Sequence, residues 1–330
     1  MDVPLWLWAA SVALLVGLLA VDVFVIGRRP HEPSLRECAI AIAFFVGLAL
    51  LFGLAVLVFY GGEYAGEFYA GWLTEYSLSI DNLFVFVIIM GKFAVPRQYQ
   101  QTALLIGIIL ALLMRGIFIA LGAAAIHEFS WVFYLFGAFL IYTAVKLASQ
   151  GTAGEEDFEE NRLLRWVERR FPATQEWQGV KMLATVGGRR VITPMVIVVL
   201  ALGTTDLLFA LDSIPAIYGL TKEPYLVFTA NVFALMGLRQ LYFLIGGLLE
   251  RLVYLSLGLS LVLGFIGVKL VLEALHENEV PFINGGEPLD VPEIPIWLSL
   301  AVILGVLAVT TAASLIKVRR GFPAPGSSDS

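Results

Sequence analysis

Nine stretches of this chain are apolar enough, and long enough, to cross a lipid bilayer: about 5–26, 38–60, 68–90, 102–126, 130–148, 191–218, 225–249, 252–272 and 296–316. About 20 consecutive apolar residues span a hydrocarbon core. Inside it every backbone polar group must find a partner within the protein, so open sheet edges are excluded and the segments are expected to be helices. Composition points the same way: 59% of the 330 residues are hydrophobic and 15% charged, against ~45–50% and ~25% in soluble domains. This disfavours a soluble enzyme, a disordered regulator and a nucleic-acid binder. One cysteine, Cys38, allows no internal disulfide, and three scattered histidines, His31, His127 and His276, make no His/Cys zinc cluster. Met1–Trp8 contains Asp2 and no basic residue, unlike the start of a secretory signal peptide, so the first span is expected to be retained.

The basic residues orient the chain. With the N-terminus outside, the cytoplasmic loops hold sixteen Lys and Arg and the opposite loops hold only Lys222. Such asymmetry predicts an outer N-terminus, a cytoplasmic C-terminus and an odd number of spans, with the cell's inner (plasma) membrane as the expected location. The chain then reads as one membrane domain: two N-terminal helices (5–60), a first unit (68–148), a cytoplasmic linker (149–190), a second unit (191–272), a last helix (296–316) and a flexible tail (317–330). Within the linker, Leu163, Leu164, Val167 and Phe171 share one face of a basic helix expected to lie along the inner membrane surface. Asp22 and Arg28 flank the inner end of the first span and are expected to form an interfacial pair. Lys146 and Lys269 lie near span ends, where snorkelling to the interface is the expectation.

The third and sixth spans carry the chemistry. One reads Thr74-Glu75-Tyr-Ser-Leu-Ser-Ile-Asp81-Asn82 and the other Thr205-Asp206-Leu-Leu-Phe-Ala-Leu-Asp212-Ser213. Further echoes link Leu113-Met114-Arg115 with Leu235-Met236-Gly-Leu-Arg239, and Phe139–Leu147 with Val262–Leu270. Spans three to five thus repeat as six to eight. Three is odd, so the copies cross in opposite senses, an arrangement that transporters use with their site near the midplane. At 100° per residue, Thr74, Glu75, Asp81 and Asn82 fall in one wedge about 120° wide, and Thr205, Asp206, Asp212 and Ser213 form its counterpart.

A carboxylate at the bilayer centre costs about 2.5–3.5 kcal/mol on insertion scales. The four acids must therefore face one another, water, an ion or a basic partner. Their oxygens suit a hard or borderline divalent cation such as Mn²⁺, Ca²⁺ or Mg²⁺, without choosing among them. The alternative for each acid is a buried packing role bonded to Ser, Thr or Arg. Arg115 and Arg239 lie well inside their spans, where each is either a countercharge for the ion-free site or a packing partner. Pro215 is expected to loosen the sixth span and free backbone carbonyls.

The segments Ser77-Leu-Ser-Ile-Asp81-Asn82-Leu-Phe-Val-Phe86, Phe93-Ala-Val-Pro96-Arg97, Thr205 to Ala216 and Phe228-Thr-Ala-Asn231 to Arg239 closely resemble the TerC/Alx family of integral membrane proteins. So does Asp22-Val-Phe-Val-Ile-Gly-Arg28-Arg29. The resemblance runs from about residue 15 to 275. It implies Mn²⁺ as cargo, with Glu75, Asp81, Asn82, Asp206, Asp212 and Ser213 as the metal set and Asn231 and Arg239 in a second signature. It also implies a Glu three residues before Asp206, where this chain has Gly203. The expectation is a non-enzymatic transporter working by alternating access, with protons as counter-ion because four carboxylates exceed the charge of one divalent cation. A membrane-protein assembly factor or metal sensor of the same fold is the alternative. No resident cofactor and no nucleic-acid partner is expected, the bilayer is the chain's surroundings, and oligomeric state is not legible.

Overall fold

The computed structural model describes residues 3–28, 33–129, 131–150, 177–186, 189–245, 254–278, 280 and 283–319. They are mostly helical: α1 (Leu5–Arg28), α2 (Leu35–Tyr60), α3 (Gly62–Lys92), α4 (Arg97–Glu128), α5 (Val132–Gln150), α6 (Pro194–Tyr218), α7 (Pro224–Leu235), α8 (Leu238–Ile245), α9 (Leu255–His276) and α10 (Ile296–Arg319). Among the described residues, eight helical segments are long and apolar enough to cross a membrane, and Leu5–Leu18 within α1 is a shorter apolar helix. One of the eight, Pro224–Leu244, comprises α7 and α8 together.

Local sequence explains the boundaries. Ser34 caps α2 by accepting from the Glu37 amide while the Glu37 carboxylate accepts from the Ser34 amide, a reciprocal box that satisfies two otherwise free donors. Gly61, at φ +100°, turns α2 directly into α3, so α3 starts six residues before the expected apolar stretch. Pro194 and Pro224 open α6 and α7 at positions where a missing N–H costs nothing.

Two features depart from the expected spans. The stretch 225–249 is not one helix: Met236 takes extended backbone, Gly237 sits at φ +88°, and the chain restarts as α8. The break falls on Gly237-Leu238, the two residues that separate Met236 from Arg239 and that Leu113-Met114-Arg115 lacks. Ahead of α6, β1 (Leu183–Val186) and β2 (Arg189–Ile192) form an antiparallel hairpin, Leu183 opposite Ile192. The expected surface helix around Leu163 to Phe171 lies outside the described residues. Pro215 does not break α6, which continues to Tyr218.

Helix packing follows small residues. A Cβ on Gly71 would stand 3.2 Å from Ile217, and Thr221 donates to Glu67; as one index rises the other falls, so α3 and the end of α6 run antiparallel. Helix α4 lies beside α6, with Gly107 against Leu202 and Tyr218 against Gly122. Helices α5 and α9 meet still more closely: a Cβ on Gly267 would come 2.9 Å from Ile141 and 3.0 Å from the Gly137 carbonyl, while Gly264 faces Ala144. Close backbone approach of this kind is how helices associate where lipid offers no hydrophobic drive. Large apolar side chains are instead exposed outward, among them Leu50, Leu54 and Val58 on α2 and Leu113, Ile117 and Leu121 on α4.

Candidate cation site

Charge collects inside this bundle. Glu75 near the middle of α3, Arg115 near the middle of α4 and Asp206 at the centre of α6 are 0%, 1% and 1% exposed. Arg115 Nε donates to Asp206 Oδ2 at 2.8 Å and Nη2 to Oδ1 at 3.1 Å, the two-pronged geometry that a planar guanidinium makes with a carboxylate. Its Nη1 donates to Glu75 Oε1, to Asn231 Oδ1 at 3.0 Å and to Ser213 Oγ at 3.3 Å. Asn231 is held by its own amide, which donates to the Val227 carbonyl one turn back in α7. Four helices thus contribute to one buried polar cluster.

This brings together Glu75, Asp206, Ser213, Asn231 and Arg115 of the residues singled out in the sequence. Thr74, Asn82 and Thr205 are buried nearby in sequence and without a side-chain bond to Arg115; the Thr74 hydroxyl and Glu75 Oε2 are buried with no hydrogen-bond partner. Asp212 is partly buried and makes its own contacts. The side chains of Asp81 and Asp22 lie outside the described residues, and with them the expected Asp22–Arg28 pair. Arg239 does not join the Arg115 cluster; it lines a small cavity with Leu18, Phe45, Gly237 and Gln240. Among the described residues no three His, Cys, Asp or Glu side chains are spaced to hold a metal ion, and the Arg115 guanidinium stands between Glu75 and Asp206.

A second set of charges, at one end of the bundle, escaped the sequence reading. Thr221 Oγ1 donates to Glu67 at 2.6 Å, and Lys222 donates to Glu277 and pairs with Glu273, both at 2.7 Å. Burial works against the Lys222 ammonium, but hydrogen bonds and charge from Glu273 and Glu277 outweigh it and hold its pKa above the ordinary lysine value. Lys146 is exposed near the end of α5. Lys269 corrects the expectation of snorkelling: it is 9% exposed, buried in α9 within the field of Glu273 and Glu67. The signal for Glu67 was its place two turns before Thr74, on the same face of α3.

A multi-pass helical membrane protein with an ion-pair cluster at mid-bundle is the class these observations define. Residues 60–321 match the model of the integral membrane protein TerC family, and the chain belongs to that family. It is 49% identical, over 94% of its length and 79% of the relative's, to the uncharacterized membrane protein Rv2723 of Mycobacterium tuberculosis (strain ATCC 25618 / H37Rv). It is 40% identical to the uncharacterized membrane protein STKORF319 of Myxococcus xanthus, covering 95% of this chain and 93% of that one. It is 34% identical to Alx of Escherichia coli (strain K12), covering 92% of each, a protein whose name casts it as a candidate membrane-bound redox modulator. No solved structure matches the chain.

Proposed function

We propose that this protein is a carrier, not an enzyme, that exports a divalent cation, Mn²⁺ foremost, across the plasma membrane by alternating access. The observation that carries this reading is the convergence of Glu75 from the first unit and Asp206, Ser213 and Asn231 from the second on one buried point. Buried charge in a membrane is costly and marks an ion path more often than a packing device. The packing supports an inverted repeat. Shifting α5 by the offset that carries Phe139–Leu147 onto Val262–Leu270 turns the Ala144–Gly264 contact into Gly267–Ile141, which is also made. The antiparallel course of α3 and α6 supports it too. The broken α7–α8 segment supplies the discontinuous helix that such carriers use beside their sites.

Choice of Mn²⁺ over Ca²⁺ or Mg²⁺ rests on family membership, and exchange for protons rests on charge. Glu75 and Asp206 with Arg115 leave one negative charge before Asp81 and Asp212 are counted, an excess that calls for a counter-ion whenever the divalent cation is absent. The redox role in the relatives' name has one specific obstacle here: with one cysteine the chain makes no dithiol couple of its own.

The test is flux of Mn²⁺ by the purified protein in liposomes. Glu75→Ala and Asp206→Ala should each cut it by more than about tenfold, the scale on which even outer-shell partners of a bound metal act. Normal flux in both folded variants would overturn the reading.

A further inference from the structure

We infer that Arg115 is a tethered counter-cation: its guanidinium fills the Glu75–Asp206 site between cargo ions and must swing clear before a divalent cation binds. This rests on the cation-site reading above and adds to it the identity of the competitor. All three guanidinium nitrogens are engaged, Nε and Nη2 on Asp206 and Nη1 on Glu75, Ser213 and Asn231. A divalent cation needs oxygens at about 2.0–2.6 Å, and no such ion shares Glu75 and Asp206 with a guanidinium lodged between them.

The site is also incompletely used by its arginine. Glu75 Oε2 and the Thr74 hydroxyl, on adjacent residues of α3, are buried and make no hydrogen bond. A group present only to neutralise Glu75 would leave no buried carboxylate oxygen bare, since each unmet buried acceptor costs free energy. A cation taking six or more oxygens has use for both. Among the described residues, the groups that accept from Arg115 include Glu75 from α3, Asp206 and Ser213 from α6, and Asn231 from α7, so one positive charge meets at least two carboxyl groups and two neutral oxygens. Arginine, unlike lysine, does not vacate such a site by losing its proton. Its departure is a movement of the side chain, which couples cargo binding to the packing of four helices.

A merely structural arginine and a competing one differ in the sign of what their replacement does. In the full-length protein, equilibrium binding of Mn²⁺ is read from the free-ion electron paramagnetic resonance signal, and transport from Mn²⁺ flux in liposomes. Arg115→Gln removes the competitor: Mn²⁺ should bind at least about tenfold tighter and both KM and the maximal rate should fall, because the guanidinium no longer helps displace the bound ion. Arg115→Lys keeps the charge with fewer hydrogen bonds. It should shift KM downward at least about threefold, so the sign is read even where the Gln variant does not fold. If the unaltered protein binds Mn²⁺ and Arg115→Lys leaves affinity unchanged or weaker, this inference falls and the cation site stands. If the unaltered protein binds no Mn²⁺, Ca²⁺ or Mg²⁺, the cation site itself falls, and the counter-cation with it.

Discussion

Helix arithmetic told which residues share a face of α3 or of α6, and so Glu75, Asp206 and Ser213 were legible before any fold was known. It carried no information on the rotation of α4 against either helix. For that reason Arg115 was visible as a charge in an apolar span, with its four partners hidden until the bundle formed. Gly203 belongs at this scale. A Cβ there would run into Leu110 of α4, so the missing acid is matched by a neighbour that fills its space. Gly203→Glu should therefore lower thermal stability in detergent by about 1–3 kcal/mol, the usual cost of overpacking. Combining it with Leu110→Ala should recover most of that loss. Equal stability of the single and double variants would show that the two residues do not compete for room.

At the scale of elements, most helices were legible because lipid imposes a minimum apolar length and because Gly61, Pro194 and Pro224 punctuate the chain in ways the backbone obeys. The break between α7 and α8 was not. A Gly-Leu step leaves an apolar run apolar, and it takes the extended backbone of Met236 and the positive φ of Gly237 to betray the interruption. The hairpin of β1 and β2 was hidden for a similar reason: four-residue strands beside a long polar linker carry too little periodicity to read. The turn from α6 to α7 illustrates charge that depends on tertiary contact. Lys222 gains its partners from α9 and the residue that follows it, some fifty residues on, and its raised pKa means the stabilisation is complete below the ordinary lysine value of about 10.4 and is lost as pH climbs through the higher folded-state value. Because the pair is largely solvated, Lys222→Met should cost under about 1 kcal/mol at neutral pH. The difference should shrink in thermal melts as pH is raised through the lysine's folded-state pKa; a gap that persists undiminished well beyond the ordinary lysine range would mean the methionine acts through packing instead.

For the whole molecule, the distribution of Lys and Arg gave an orientation that packing does not address. It follows that a cysteine at Lys222 should react with a membrane-impermeant maleimide added to intact cells, and one at Lys317 only after lysis. The reverse pattern would invert the chain and, with it, the direction of the proposed transport. One contact described above then limits how the two halves can move. Where α5 meets α9, Gly137 and Gly267 let the two backbones touch, and the side chains of Ile141 and Val271 seat on these glycines. Ile141 and Val271, lodged over glycines of the facing helix, lock the register against a slide, and parting the seam would forfeit that close contact. Only turning is left, so the seam is a fulcrum, and even one methyl group added at Gly137 or Gly267 would act as a wedge driven into a bearing.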